Sequence, residues 1–272
     1  MQELFAPTLA SSLSLEDVDK FFNNNAYAFE QKIDGQRVAV VVNNGQATAV
    51  GRRNILVVDP EIMNTIETLR LDCVLDGELI NGKYLLFDAP RVSSLVSTDT
   101  TYTERRAALA VLCDTLTKTT NKIQLLPSYR TSNNKEEIFR WCNENGTEGI
   151  VVKHLESPYV CGKRTEHWLK VKFVKTCEAF VMETVIDGKR NAAVGMYDDN
   201  GNIVNIGTVS MTDRRLNVVK RGDVIEIRYL YASEDSRLVQ PHMLKFRPDK
   251  QMKECTIDQL KFTNKSIVFK KG

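Results

Sequence analysis

Residues 30–37, Glu-Gln-Lys-Ile-Asp-Gly-Gln-Arg, constrain the fold more than any other stretch. The run Ala26 to Phe29 before Lys32 is apolar and strand-like, Asp34-Gly35 is turn chemistry, and Arg37 opens the β-branched run Val38 to Val42. A lysine at the lip of a strand, followed at once by a tight turn, is positioned rather than free. On its own the stretch also fits an ordinary solvated turn. Its meaning depends on whether the rest of the chain supplies partners for Lys32.

The surrounding pattern is mostly strands in pairs. Strands are predicted over 26–32, 37–43 and 46–51, the last two joined by an Asn43-Asn44-Gly45 hairpin turn. A second hairpin, Cys73 to Ile80 and Lys83 to Asp88, turns at Asn81-Gly82, and further strands are expected at 149–153 and 168–174. Helices are fewer. Asp59-Pro60-Glu61 reads as an N-cap with proline in the first turn, and Ile62, Ile66 and Leu69 line one face as far as Arg70. Thr101 and Glu104 form a capping box opening a helix over 104–118 with Leu109, Leu112 and Leu116 inward. A third helix runs over 134–145 and stops at Gly146, and Leu15 to Phe22 is a short amphipathic segment. From Thr176 the texture changes. Apolar alternation at 177–186, 192–197, 203–210 and 223–231 is broken by Asp187-Gly188, Asn200-Gly201 and Arg221-Gly222-Asp223, which predicts a small barrel. The reading is an α+β chain of two domains, 1–174 and 175–272.

Composition narrows the function classes. The six cysteines are scattered with no Cys-x-x-Cys, and the three histidines add no ligand spacing, which argues against structural zinc and for a reduced, cytoplasmic setting. No basic-then-apolar leader and no run of 18 apolar residues is present, so neither a signal peptide nor a membrane partner is expected. The formal charge is +2, but residues 174–272 hold 17 basic against 13 acidic side chains, a mild pointer to a polyanion.

Five further clusters carry potential chemistry. Arg52-Arg53-Asn54 follows a strand. Asp76-Gly77-Glu78, with Phe87-Asp88 after it, puts carboxylates in apolar strands, where they need a metal, a sugar hydroxyl or a cation. Glu148 stands at the mouth of the apolar run Ile150-Val151-Val152 that ends at Lys153. In Trp168-Leu-Lys170-Val-Lys172, alternation puts Trp168 and both lysines on one face, and two ammoniums there suit an anion such as phosphate. Arg247-Pro248-Asp249-Lys250 is the last. Taken singly, these also read as a solvated basic turn, an edge strand guarded by lysines and a charged turn. Their order and spacing together point further. Counted from Lys32, they lie about 20, 45, 55, 115, 140 and 215 residues on.

This series resembles the covalent nucleotidyltransferases, and most closely the ATP-dependent DNA ligases, over nearly the whole chain. Pro7-Thr-Leu-Ala10 and Leu238 to Phe246 also look like that family. The resemblance implies a nucleotidyltransferase (ATP-grasp-like) domain of antiparallel sheets with helices, followed by an OB-fold barrel. It implies Lys32 as the nucleophile that takes AMP, Glu30 as reader of the adenine amino group, Phe87 as the stacking ring and Glu78 as the ribose-contacting acid. Asp34 and Glu148 resemble the metal acids, for Mg²⁺ or Mn²⁺. Trp168, Lys170 and Lys172 belong to the strand that grips the α-phosphate, and Arg247, Asp249 and Lys250 close over pyrophosphate. Arg37 and Arg53 are expected on a phosphate of the nucleotide or of the nick. Arg53 is preferred to Arg52 because Arg-Asn matches the family's Ser-Arg-Asn/Gly, although Arg52 stands where that pattern has serine.

The implied partner is nicked duplex DNA, handled by a monomer of compact viral, phage or bacterial type. The connection Asp187-Gly-Lys-Arg-Asn191 is too short for a DNA-encircling latch, so Lys189 and Arg190 are candidates for the grip on DNA. Only 31 residues precede Lys32, too few for a nicotinamide-binding domain. The alternatives are an RNA ligase, a capping guanylyltransferase, or a DNA-end-binding module without activity.

Overall fold

The computed structural model describes residues 5–186, 189–211 and 219–262, apart from the side chains of 185, 186, 189 and 190. Contacts divide the described residues into two units, 5–171 and 172–262.

The first unit grows from the two Asn-Gly hairpins. Strands β3 (Gln36–Asn43) and β4 (Gln46–Val50) meet at Asn44 and Gly45, both with positive φ (50° and 75°). Strands β5 (Cys73–Ile80) and β6 (Lys83–Val92) meet at Asn81 and Gly82, again with positive φ (50° and 71°). Such turns twist with the strands, and asparagine and glycine tolerate the left-handed conformation best. The hairpins join through β3 and β5, and a short β7 (Ile123–Leu125) completes a five-stranded sheet in the order β4-β3-β5-β6-β7.

Two helices pack on that sheet. In α1 (Pro60–Glu67), Asp59 accepts the Glu61 amide, and Ile62 and Ile66 are fully buried. In α2 (Tyr102–Thr117) the Thr101/Glu104 capping box is complete in both directions. Leu109, Leu112 and Leu116 meet Val40, Leu75 and Leu86 of the sheet in one core.

A second sheet has the order β1-β9-β8-β2, from β1 (Leu9–Ser12), β2 (Tyr27–Lys32), β8 (Gly149–His154) and β9 (Arg164–Lys172). Helix α3 (Ser132–Glu144) packs on β2 and β8. The chain passes from this sheet to the other directly after Lys32.

The sheets are mixed, which corrects the expectation of antiparallel sheets. β1 runs parallel to β9, and β7 parallel to β6 with α2 in the crossover. β1 and β7 have four and three residues, too few to print an alternating pattern. α1 stops at Glu67 rather than Arg70, where φ is +51°. Leu15 to Phe22 yields only a 3₁₀ turn over Val18–Phe21.

The second unit is a closed barrel of β10 (Lys175–Ile186), β11 (Lys189–Tyr197), β12 (Ile203–Ser210), β13 (Val224–Tyr229) and β14 (His242–Phe246), in the order β10-β11-β12-β14-β13. Phe180, Val194, Ile206, Ile225 and Tyr229 fill it. β14 was not foreseen as a strand, because Met243 alone of its five residues is buried. The expected turn Asp187-Gly188 lies outside the described residues. Among the described residues no helix is long and apolar enough to cross a membrane.

Candidate active site

The site of the first unit is built between its two sheets. β2 and β8 pair antiparallel with Lys32 opposite Gly149, Glu30 opposite Val151 and Ala28 opposite Lys153. Facing residues share a side of the sheet, so Glu30, Lys32 and Lys153 point the same way. Glu148, just before β8, therefore reaches the end of β2. Its Oε2 lies 2.5 Å from Lys32 Nζ, with the Glu148 side chain 3% exposed and that of Lys32 23%. The turn after Lys32 is pressed against β5. A Cβ on Gly35 would lie 2.4 Å from the Leu79 carbonyl oxygen and 2.9 Å from Glu78 Cγ. Glycine lets the turn come this close, fixing Asp34 two residues beyond the lysine.

The facing wall comes from the five-stranded sheet. Arg37 and Glu78 are register partners on β3 and β5. The Arg37 guanidinium donates to both oxygens of Asp76 (3.1 and 2.6 Å) and to the Thr8 carbonyl (2.6 Å). Asp76 is fully buried and also accepts the Tyr159 hydroxyl at 2.6 Å. Burial opposes the charge on Arg37, but Asp76, together with Tyr159 and Glu78, outweighs it and holds the guanidinium protonated. Three of the five N–H groups are thus directed within the protein, leaving two for a phosphate. Burial pushes the Glu78 carboxyl up to about 7, against the pull of Lys32 and Arg37.

Between the walls lies an aromatic slot. The rings of Phe87 and Trp168 stand edge to face, 6.2 Å apart. Lys153 Nζ sits 4.1 Å from the Trp168 ring centre and 4.6 Å from that of Phe87, and the Arg37 guanidinium 5.3 Å from Phe87. The Trp168 indole N–H is buried and has no partner among the described residues, so an acceptor on a bound molecule would satisfy it. Lys153 is 1% exposed and ion-paired to Glu30 at 2.6 Å. The Glu30 carboxylate also takes the Tyr102 hydroxyl and lies 4.0 Å from Arg106. Arg106 and Lys153 both donate to the Phe87 carbonyl (3.3 and 3.5 Å). One buried network therefore holds the ring that lines the slot and the acid at its base.

Arg53 is exposed in the turn after β4. Lys170 pairs with Ser12 of β1 and is half-buried. Lys172 belongs by contacts to the second unit, where its Nζ donates to Gln240 Oε1 at 2.7 Å. In the barrel, Arg247 is ringed by acids: Asp249 (2.7 Å), Glu178 (2.6 Å) and Glu226 (3.3 Å). The hydrogen bond from Arg247 pulls Asp249 down to about 2. Lys250 donates to Glu254 at 3.2 Å. The side chains of Lys189 and Arg190 lie outside the described residues.

Asp34 and Glu148 are two hard oxygen donors beside Lys32. No group of three His, Cys, Asp or Glu residues that could hold a metal ion occurs among the described residues. Two carboxylates suit Mg²⁺, which binds through one or two of them plus waters and substrate phosphates, better than an ion needing an all-protein cage.

A family model described as ATP dependent DNA ligase domain matches residues 81–172. The DNA ligase of Methanococcus maripaludis is 28% identical over 236 residues, covering 66% of this chain and 41% of that protein. The chain is related to the ATP-dependent DNA ligases. Two solved ligases share its fold. One is a Lig E DNA ligase described as binding DNA with a minimal scaffold (TM-score 0.63, 18% identity, 89% of this chain and 99% of that one). The other is a mycobacterial DNA ligase D with ATP and MES (TM-score 0.54, 22% identity, 92% and 97%). The barrel is the OB-fold of these ligases, and the first unit their nucleotidyltransferase fold. The chain spans between 32% and 41% of the length of the curated relatives that it matches.

In this ligase-like site, sequence reasoning missed Tyr102, Arg105, Arg106 and Tyr159, and it named Lys153 only as the end of an apolar run, without a role. A signal for three of them was present. Positions 102, 105, 106, 109, 112 and 116 form one helical stripe, so Tyr102, Arg105 and Arg106 lie on the leucine face of α2. Arg105 is fully buried and bidentate on Asp88 (2.8 and 3.1 Å), which accounts for the Asp88 carboxylate without a metal.

Proposed function

We propose that this chain is an ATP-dependent DNA ligase that seals 3′-hydroxyl/5′-phosphate nicks in duplex DNA. The observation that carries the proposal is Lys32, held by Glu148 at 2.5 Å between two sheets, beside an aromatic slot. In this reading, Lys32 Nζ attacks the α-phosphorus of ATP. A P–N bond forms, the α–β bridge breaks and pyrophosphate leaves. Phe87 stacks on adenine, Trp168 borders the base, Glu30 accepts from its amino group and Glu78 meets the ribose. Arg37 uses its two remaining N–H groups on phosphate, joined by Lys170 and Lys172. Asp34 and Glu148 would hold Mg²⁺ (or Mn²⁺), which offsets the charge of the triphosphate when bound.

AMP then passes from Lys32 to the 5′-phosphate of the nick. The 3′-hydroxyl attacks that phosphorus, the strand is closed and AMP departs. Residues 1–174 form the adenylyltransferase domain, and 175–272 the OB-fold domain. Arg247, Asp249 and Lys250 serve pyrophosphate release. Arg53, Lys189 and Arg190 serve DNA, and the protein works as a cytoplasmic monomer.

The test is sealing of a nicked duplex with Mg²⁺ and ATP, GTP or NAD supplied separately. Sealing with ATP alone is expected. Sealing confined to RNA strands would favour an RNA ligase, and covalent GMP a capping enzyme.

A further inference from the structure

The base of the slot contains more apparatus than holding one acid in place requires. Glu30 is 2% exposed, and each polar partner of its carboxylate among the described residues is a donor. Lys153 gives a hydrogen to Oε2 at 2.6 Å, the Tyr102 hydroxyl gives one to Oε1, and Arg106 stands 4.0 Å from the same oxygen. Tyr102 is the first residue of α2, fixed by the Thr101 cap, and is fully buried. Its oxygen lies 3.1 Å from Ser128 Oγ. The phenol has one hydrogen, and that goes to Glu30, so the Ser128 hydroxyl must donate to Tyr102. Ser128, Tyr102 and Glu30 then form a relay with one direction, each member strengthening the next.

The effect on Glu30 is specific. Two of about four carboxylate lone-pair sites are filled by donors, and the others remain acceptors. A carboxylate so held rejects an acceptor placed against it and takes a donor. At position 6 of a purine, adenine offers an amino donor and guanine a carbonyl acceptor. Without the hydroxyl, Oε1 keeps only Arg106 at 4.0 Å. The terminal torsion of glutamate is broad and nearly two-fold, so the carboxylate would turn.

We infer that Tyr102 is a positioning residue for base selection, its hydroxyl fixing Glu30 as acceptor for the 6-amino group of the nucleotide. This rests on the proposal that Lys32 takes AMP from ATP, and adds to it the device that sets the selectivity.

The test compares covalent nucleotide formation from ATP, inosine triphosphate (6-oxo) and purine riboside triphosphate (no 6-substituent), in the full chain and in Tyr102→Phe. The native protein is expected to prefer ATP to both. In Tyr102→Phe the preference for ATP over the unsubstituted purine falls by about tenfold, the scale of one hydrogen bond to a charged group. The fall comes from a higher KM for ATP, with purine riboside triphosphate unchanged. Ser128→Ala, which removes the donor behind Tyr102, shifts the ratio the same way by less. Equal losses with both nucleotides would make Tyr102 a structural residue only and overturn the inference. A native protein that is labelled but does not distinguish the purines would also overturn it, leaving the ligase proposal standing. A native protein that takes no label from ATP would overturn both.

Discussion

Lys153→Met tests the buried network most severely. The side chain is 1% exposed, and its ammonium lies 2.6 Å from Glu30 and within 5.0 Å of the ring centres of Phe87, Tyr102 and Trp168. Methionine keeps most of the volume and removes the charge. Glu30 is left buried with the Tyr102 hydroxyl and an arginine 4.0 Å away. Removing one partner of a buried ion pair costs about 3–5 kcal/mol, because the other charge stays desolvated. Glu30→Gln is expected to cost less, since burial already lowers the proton affinity of Lys153 despite the pull of Glu30, and a lysine can shed its proton. The double variant should cost less than the sum, as it leaves no uncompensated charge. Both tryptophans, Trp141 and Trp168, lie in the first unit, so their fluorescence in urea follows that unit alone. The midpoint for Lys153→Met should fall by about 1–2 M at unchanged slope. A shift under about 0.3 M, or strict additivity in the double variant, would show that Lys153 does not compensate a buried Glu30 charge.

Two further outcomes follow from the same geometry. Gly35→Ala places a methyl 2.4 Å from the Leu79 carbonyl oxygen, so the turn must move, at about 1–3 kcal/mol. Because that turn carries Asp34 and follows Lys32, the rate of covalent labelling should fall with it, and a native rate would contradict the account. Glu78 is held near 7 when folded, chiefly by burial, against an ordinary value of 4.5. The folded state therefore binds the proton more tightly, and stability from this group is lost as pH rises. The loss begins near pH 4.5, saturates above pH 7 and amounts to about 3 kcal/mol. Urea midpoints from pH 4.5 to 8 should fall in the native protein and flatten in Glu78→Gln; parallel profiles would place the proton elsewhere.

Much of the first unit was legible because its turns are chemically explicit. Asn44-Gly45 and Asn81-Gly82 can hardly be anything but hairpin turns, and each fixes the register within its own hairpin; the pairing of β3 with β5 that puts Arg37 beside Glu78 joins the two hairpins and is set by neither turn. Lys32 and Glu148 were expected in one site, but nothing local in the sequence says that Gly149 faces Lys32. The parallel strands β1 and β7 were invisible, since a three- or four-residue strand takes its identity from its neighbour. The burial of three cations was not foreseen for a different reason. Lysine and arginine are ordinarily exposed, and Glu30, Asp88 and several backbone carbonyls together make burial of Lys153, Arg105 and Arg106 tolerable. The stripe in α2 was the available clue. Arg247 and Lys172 were read as phosphate ligands, and in the barrel each has a protein acceptor.

In the proposed reaction Lys32 becomes covalently joined to AMP. The direct measurement is mass spectrometry of the protein after incubation with ATP and Mg²⁺, before and after proteolysis. One added adenylate per chain, located on the peptide containing Lys32 and absent from Lys32→Ala, is predicted. An adenylate on another residue, or an unmodified native protein beside a Lys32→Ala variant that folds normally, would contradict the account.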